Sequence, residues 1–229
     1  MREWLGMWLS PEAIPGWAAG IYERAARLAI ESYYAPLAQE IVTELGSGRI
    51  LDVGTGPGYL PLEIVKRGES ITIVGIDATP RMIQFASRRA EAAGLAHRLT
   101  FLVGNAYSLM FDDDSFDMVI STGVLHAWKD PVRALGECYR VLKPGGVAWI
   151  LDPAQILTGR NPSLWRRSLN WRERVVYRIY SSLPGAGPPR RFSLEEAKDL
   201  LAKTPFVGGA LEQRDGIAIK TKKRIRQPE

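Results

Sequence analysis

The segment Ile50-Leu51-Asp52-Val53-Gly54-Thr55-Gly56-Pro57-Gly58-Tyr59 dictates more about this chain than any other. A short apolar run leads directly into a glycine-rich turn, and helix-forming sequence follows. Glycine has no Cβ, so such a turn lets a small molecule lie against bare backbone. In open α/β sheets a turn of this kind sits at the carboxyl end of a strand, where ligands bind. A dinucleotide site would read Gly-x-Gly-x-x-Gly with a pyrophosphate on the helix N-terminus. Here the spacing is Gly54-x-Gly56-x-Gly58, and Asp52 puts a negative charge beside the turn. That charge disfavours a pyrophosphate and suits a cationic or amine-bearing ligand. Asp77 ends the next apolar run, Ile71 to Ile76, and falls 23 positions after Gly54. That is about the spacing at which a carboxylate takes ribose hydroxyls.

From Gly48 onward the pattern alternates. It predicts strands at 49–53, 71–76, 99–103, 117–122 and 147–152, and helices at 58–67, 80–93 and 131–142. Strand followed repeatedly by helix argues a parallel sheet. Lys143-Pro144-Gly145-Gly146 reads as a turn feeding a strand. Ser193-Leu194-Glu195-Glu196 is a capping-box pattern that opens a last helix. Two closing strands, near 206–213 and 216–222, are joined at Asp215-Gly216, a hairpin signal. Residues 1–47 read as an N-terminal helical cap, with Pro36 marking a start or a kink. Residues 48–229 form the main domain, in which 153–192 are a helical insertion or lid carrying Trp165, Arg166, Arg167, Trp171, Arg172, Arg174 and Arg178.

At these motifs the chain resembles the class I S-adenosylmethionine-dependent methyltransferases, and within them the small-molecule branch of the ubiquinone/menaquinone-biosynthesis type. Asp52 to Gly58 match the family's first motif and Asp77 its ribose-binding acid. Gly104-Asn105-Ala106 matches its adenine-contact motif, where the family usually carries Asp, so Asn105 is a departure. Ser115 to His126 match the fourth strand and its loop, and Leu142 to Gly146 the turn before the fifth. The likeness covers residues 48 to 152 and hardly reaches the flanks. It implies a Rossmann-like, seven-stranded, mostly parallel α/β sheet with one antiparallel strand and helices on both faces.

The resemblance also implies roles. S-adenosyl-L-methionine is the cofactor. Gly54, Thr55, Gly56 and Gly58 approach its methionine portion, and Asp52 orients its ammonium. Asp77 takes the ribose. Asn105 and Ala106 meet the adenine, with Met82 or Ala78 packing on its face, and Ser121 and Thr122 line the methionine end. Transfer to a small-molecule acceptor is an in-line displacement, chiefly a matter of positioning. His126 is the leading general base, with Tyr22 as a second catalytic candidate. Tyr33, Tyr34, Trp128, Trp165 and Arg167 are candidates for substrate contact. No metal is expected. His97 reads as a surface residue.

Composition bounds the alternatives. With 229 residues and 46% apolar content, the chain suits one large α/β domain. The single cysteine, Cys138, rules out an internal disulfide and a cysteine-based zinc cluster, and reads as a core thiol. No run is long enough to span a bilayer and no signal peptide opens the chain, so a cytoplasmic location is expected. The net charge of +5 divides into −3 over residues 1–150 and +8 over 151–229. That basic C-terminal part allows a second reading, methylation of RNA or protein. Methylation of DNA bases is disfavoured, because the chain has no Asn/Asp-Pro-Pro-Tyr/Phe run and no Pro-Cys pair. A third reading is a non-enzymatic cofactor-binding protein or a peripheral membrane protein, with Trp4 and Trp8 docking on lipid. Burial of those tryptophans against the domain or against a homodimer mate is simpler.

Overall fold

The structure, a computed structural model, describes residues 14, 16, 19–28, 30–153, 171, 174–175, 192–206, 209–213 and 216–225. The tryptophan cluster at 4–8, Trp165, Arg167, most of the arginine-rich stretch and Asp215 lie outside them.

The N-terminal part opens with α1 (Ala19–Leu28), a π-helical turn (Ile30–Tyr34) and α2 (Ala35–Leu45). Pro36 sits in the first turn of α2, where its missing N–H is no loss. There follow β1 (Gly48–Val53), α3 (Tyr59–Arg67), β2 (Ile71–Asp77), α4 (Pro80–Ala92), β3 (Leu99–Val103) and β4 (Phe116–Thr122). After a 3₁₀ turn (Leu125–Ala127) come α5 (Pro131–Val141), β5 (Leu142–Pro153), α6 (Leu194–Ala202), β6 (Ala210–Gln213) and β7 (Gly216–Lys222). The strands form one sheet in the order β3-β2-β1-β4-β5-β7-β6. Strands β1 to β5 pair parallel, and β7 runs antiparallel to both β5 and β6. This is the expected seven-stranded sheet with one antiparallel strand.

Side chains alternate across the strands and fill two cores. Ile50, Ile73, Met118, Ile120 and Trp149 pack under α2 and α3. Leu51, Val53, Ile76, Val119 and Ile150 pack under α5 and α6, where Cys138 is fully buried. Both faces are covered, so the inner strands read as nearly continuous apolar runs. Leu37, Ala38 and Ile41 of α2 lie in the first core, which makes that helix part of the main packing.

Two local expectations change. The Lys143 to Gly146 stretch lies inside β5: Phe116 pairs with Leu142 and Met118 with Val147, so these residues form a bulge against β4. The strand expected at 206–213 begins at Ala210. The capping box at Ser193 is present: its hydroxyl accepts from Glu196 N–H at 3.1 Å, and Ser193 N–H donates to the Glu196 carboxylate at 2.8 Å. No helix among the described residues is long and apolar enough to cross a membrane.

One half-buried arginine sets the register where α3, β2 and β3 meet. The Arg98 guanidinium donates to the carbonyls of Val65 at 2.9 Å, of Ile71 at 2.8 and 3.0 Å, and of Gly68. These carbonyls lie where α3 ends and β2 begins, and the Gly68 carbonyl also accepts from Ile71 N–H at 3.3 Å. Arg98→Met should therefore lower unfolding free energy by about 2–3 kcal/mol, the worth of a charged donor serving several carbonyls. Chemical denaturation checks this, with an unchanged m-value expected.

Candidate active site

Strand order reverses between β1 and β4, and in such sheets the carboxyl ends on either side of the reversal leave a crevice for a ligand. Here β1 delivers Asp52 and the glycine turn, β2 delivers Asp77, β4 delivers Thr122 and the loop to His126, and β5 delivers Asp152. The turn is anchored on β2, because Gly54 N–H and Thr55 N–H both donate to Ile76 O, at 2.8 and 2.9 Å.

Gly54 has φ +79°, a backbone conformation that other residues adopt only under strain. A Cβ there would stand 2.7 Å from Val124 Cγ1, so this glycine lets the β4 loop close onto the β1 turn. Gly56, at φ +54°, faces the cleft instead: the nearest atom to a Cβ placed on it is Tyr22 Cε1, at 3.8 Å. Tyr22 and Tyr34 from the N-terminal helices line that cleft with Asp52, Thr55 and Thr122.

Asp52 is only 2% exposed, and burial pushes its carboxyl up to about 7, against the Thr55 hydroxyl beside it and with a smaller push from the charge of Asp77. The hydroxyl oxygen of Thr122 is buried and has no hydrogen-bond partner among the described residues. A buried acid and an unsatisfied hydroxyl beside bare backbone are matched by a polar, cationic ligand group. Asp77 accepts from Gly56 N–H at 2.9 Å and from Thr79 N–H at 2.8 Å. Its burial raises its pKa, against those two hydrogen bonds and a third from the Thr79 side chain.

Other expected residues fall at varied distances from the crevice. Ser121 is not free to line it: 1% exposed, it donates to Val53 O at 2.8 Å and clasps β4 to β1. Met82 is fully buried, whereas Ala78 is half-buried beside Asp77. Asn105 is exposed and its side-chain oxygen accepts from Tyr107 N–H at 2.8 Å, holding its own turn. Ala106 packs on the second core. Trp128 also packs against the second core. Tyr33 is raised by burial and then by the negative charges of Asp152 and Glu40, which places its hydroxyl near the end of β5. His126 is partly exposed, and its Nδ1 lies 2.8 Å from Asp152 Oδ1. Sequence reading did not single out Asp152, which looks there like the polar end of a strand.

A small polar network seats α1 over the turn. Glu23 of α1 meets Arg89 of α4 at 2.8 Å and accepts from the Tyr59 hydroxyl at 2.5 Å. The Arg89 guanidinium lies 3.8 Å over the Tyr59 ring and also donates to Pro57 O within the glycine turn. One arginine thus ties the first helix, the third helix and the turn together.

Fold and site together define a Rossmann-like domain whose crevice combines a buried acid with exposed glycine backbone. Residues 51–150 match the family model described as a methyltransferase domain. The demethylmenaquinone methyltransferase of Thermus thermophilus is 41% identical over 115 residues, which are 50% of this chain and 51% of that protein. The ubiquinone/menaquinone biosynthesis C-methyltransferase of Dinoroseobacter shibae is 41% identical over 117 residues, 51% of this chain and 45% of that protein. The chain thus spans about half the length of these curated relatives. A solved S-adenosyl-L-methionine-dependent methyltransferase from Methanococcus maripaludis superposes with a TM-score of 0.73 over 93% of this chain and 94% of that one, at 21% identity. At that identity the likeness is one of fold. Over residues 51–150 the chain is thus similar to the methyltransferase domain.

Two predictions follow the geometry. Below pH 7 the Asp52 carboxyl of the cofactor-free protein is largely protonated, and a cation needs it ionised. Affinity for S-adenosylhomocysteine should therefore rise from pH 6 to pH 8 in calorimetric titrations, and Asp52→Asn should abolish that slope. For stability the sign is opposite. The folded chain holds a proton that the unfolded chain loses near pH 4, so Asp52's contribution to stability in the cofactor-free protein falls as pH rises toward 7. Separately, Glu23→Ala should free α1 and speed cofactor dissociation roughly fivefold in stopped-flow chase, since a partly exposed pair contributes at most about 1 kcal/mol.

Proposed function

We propose that this chain transfers a methyl group from S-adenosyl-L-methionine to a small hydroxylated aromatic acceptor of the quinol class. One observation carries the cofactor half: the buried Asp52 beneath a left-handed glycine turn, in a cleft that it lines with Thr55 and the unsatisfied hydroxyl of Thr122. These groups fit an α-amino acid head. Asp77 would take ribose hydroxyls, and Asn105 the adenine edge. When bound, the cofactor offers a methyl carbon on a sulfonium sulfur, and the electron pair of the breaking bond leaves with sulfur. The protein holds the two partners in line, lets the tyrosines of α1 and the π turn exclude water, and provides His126 beside the acceptor. The acceptor half is supported by the names of the two 41%-identical relatives.

The basic C-terminal part supports a nucleic-acid or protein substrate less well. Lys220 and Lys222 face Glu40 and Glu44 of α2 at 3.6 Å, across a groove of about 1080 Å³. Lys223 meets Asp114 at 2.6 Å. Much of this charge is matched within the chain.

The test has two arms. S-adenosylhomocysteine at 100 times its Kd should stabilise the protein by about 2.7 kcal/mol in thermal or chemical unfolding. Asp77→Ala should remove most of that gain. Incubation with methyl-labelled cofactor and chemically reduced 2-prenyl-1,4-naphthoquinone should label the quinol. No stabilisation would sink the cofactor assignment, and stabilisation without labelling would sink the acceptor class.

A further inference from the structure

The 3₁₀ turn after β4 and the last buried residues of β5 come together at the carboxyl end of the sheet. Asp152 is 8% exposed, and both its oxygens are engaged by one residue. Oδ2 accepts the backbone N–H of His126 at 3.0 Å, and Oδ1 lies 2.8 Å from His126 Nδ1. An ionised carboxylate only accepts, so Nδ1 must carry the hydrogen. In a neutral imidazole that leaves Nε2 as the basic nitrogen. No hydrogen bond to Nε2 forms among the described residues, and 27% of the side chain is open.

Placement matters as much as tautomer. Val124, two residues before His126, is the side chain against which Gly54 packs, so the loop that carries the histidine closes on the glycine turn. Gly123 N–H donates to Leu151 O at 2.8 Å, which docks the same loop on β5 one residue before Asp152. Tyr33 from the π turn is the titratable group that feels Asp152, and Glu40 from α2 acts on Tyr33 in turn.

We propose that Asp152 is a positioning residue which fixes His126 by ring and by backbone, so that Nε2 takes the hydroxyl proton of the methyl acceptor. This rests on the proposed function and deepens it, because the acceptor must then bear an O–H whose loss makes it nucleophilic. The O–H bond breaks, its electron pair stays on the acceptor, and an N–H bond forms at Nε2. The ring hydrogen that the methyl group displaces returns to the acceptor oxygen as the ring regains aromaticity. The imidazolium gives its proton to solvent.

His97 is the only other histidine, so ring-nitrogen NMR of the cofactor-free protein can isolate His126, with His126→Gln giving the assignment. The neutral ring should show Nδ1 protonated and Nε2 bare. In Asp152→Asn the His126 titration midpoint should move to lower pH, because the imidazolium loses its carboxylate. With reduced 2-prenyl-1,4-naphthoquinone, Asp152→Asn should lose about 100-fold in kcat. Its rising pH limb should shift down, while the cofactor's KM and its stabilising effect stay unchanged. An Nε2-protonated ring in the wild type overturns the proposal, even if the variant does not fold. So does a variant with the wild-type midpoint and kcat. Failure of the wild type to bind the cofactor or label the quinol would instead strike the proposed function, with the tautomer still deciding the role of Asp152.

Discussion

A carboxylate held in the interior at the end of the central strand constrains everything around it. Asp52 occupies the end of β1, flanked by β2 and β4, where the apolar core gives way to the crevice. Burial alone pushes an acid toward its neutral form, and Asp77 nearby pushes further. Such a site is destabilising for the ionised form unless a cation arrives, and the surrounding architecture leaves room for one. The turn bends away through positive-φ glycines, β4 contributes an unsatisfied hydroxyl, and the N-terminal tyrosines cover the opening. The sheet's reversal of order creates the crevice, and the acid selects the sign of charge that fills it.

The framework was legible because each part of it announces itself locally. The strands are apolar runs bounded by glycine, proline or aspartate, and the capping box at Ser193 is four consecutive residues. The glycine spacing identified the turn, and every one of its glycines is left-handed. What escaped reading is nonlocal. Asp152 and His126 are 26 positions apart and meet only because β4 and β5 are neighbours in parallel register. Ser121 looked available to a ligand, yet its hydroxyl clasps β1, a use visible only once the two strands are paired. The Lys143-Pro144-Gly145-Gly146 run has the composition of a turn and serves as a bulge, because Phe116 and Met118 pair on either side of it.

The N-terminal helices show the same dependence on distant partners. Periodicity predicts that α1 and α2 are helical without saying what they cover. Glu23, Tyr59 and Arg89 supply that information, joining residues up to 66 positions apart. Arg89 also grips Pro57, so the position of α1 and the shape of the turn are coupled through one side chain. A cofactor that enters beneath Tyr22 must work against this network, which therefore acts on exchange of the ligand more than on the chemistry.

Asp52 and Asp152 sit at the carboxyl ends of two strands in the same sheet, yet neighbours divide their work. Asp52 shares its cleft with the unsatisfied Thr122 hydroxyl and feels a second acid, Asp77, so its charge is held in reserve for a cation from outside. Asp152 has both oxygens filled by His126, and its charge is already committed within the protein. Under the proposed function the first carboxylate fixes the donor and the second tunes the group that prepares the acceptor. Methyl transfer needs both at once, since a well-held donor is inert toward an acceptor that keeps its proton. β4 joins the two: Thr122 opens toward Asp52, and the loop that follows carries His126 to Asp152. A shift of that loop would disturb donor and acceptor together, and close packing of Val124 on Gly54 is what resists it.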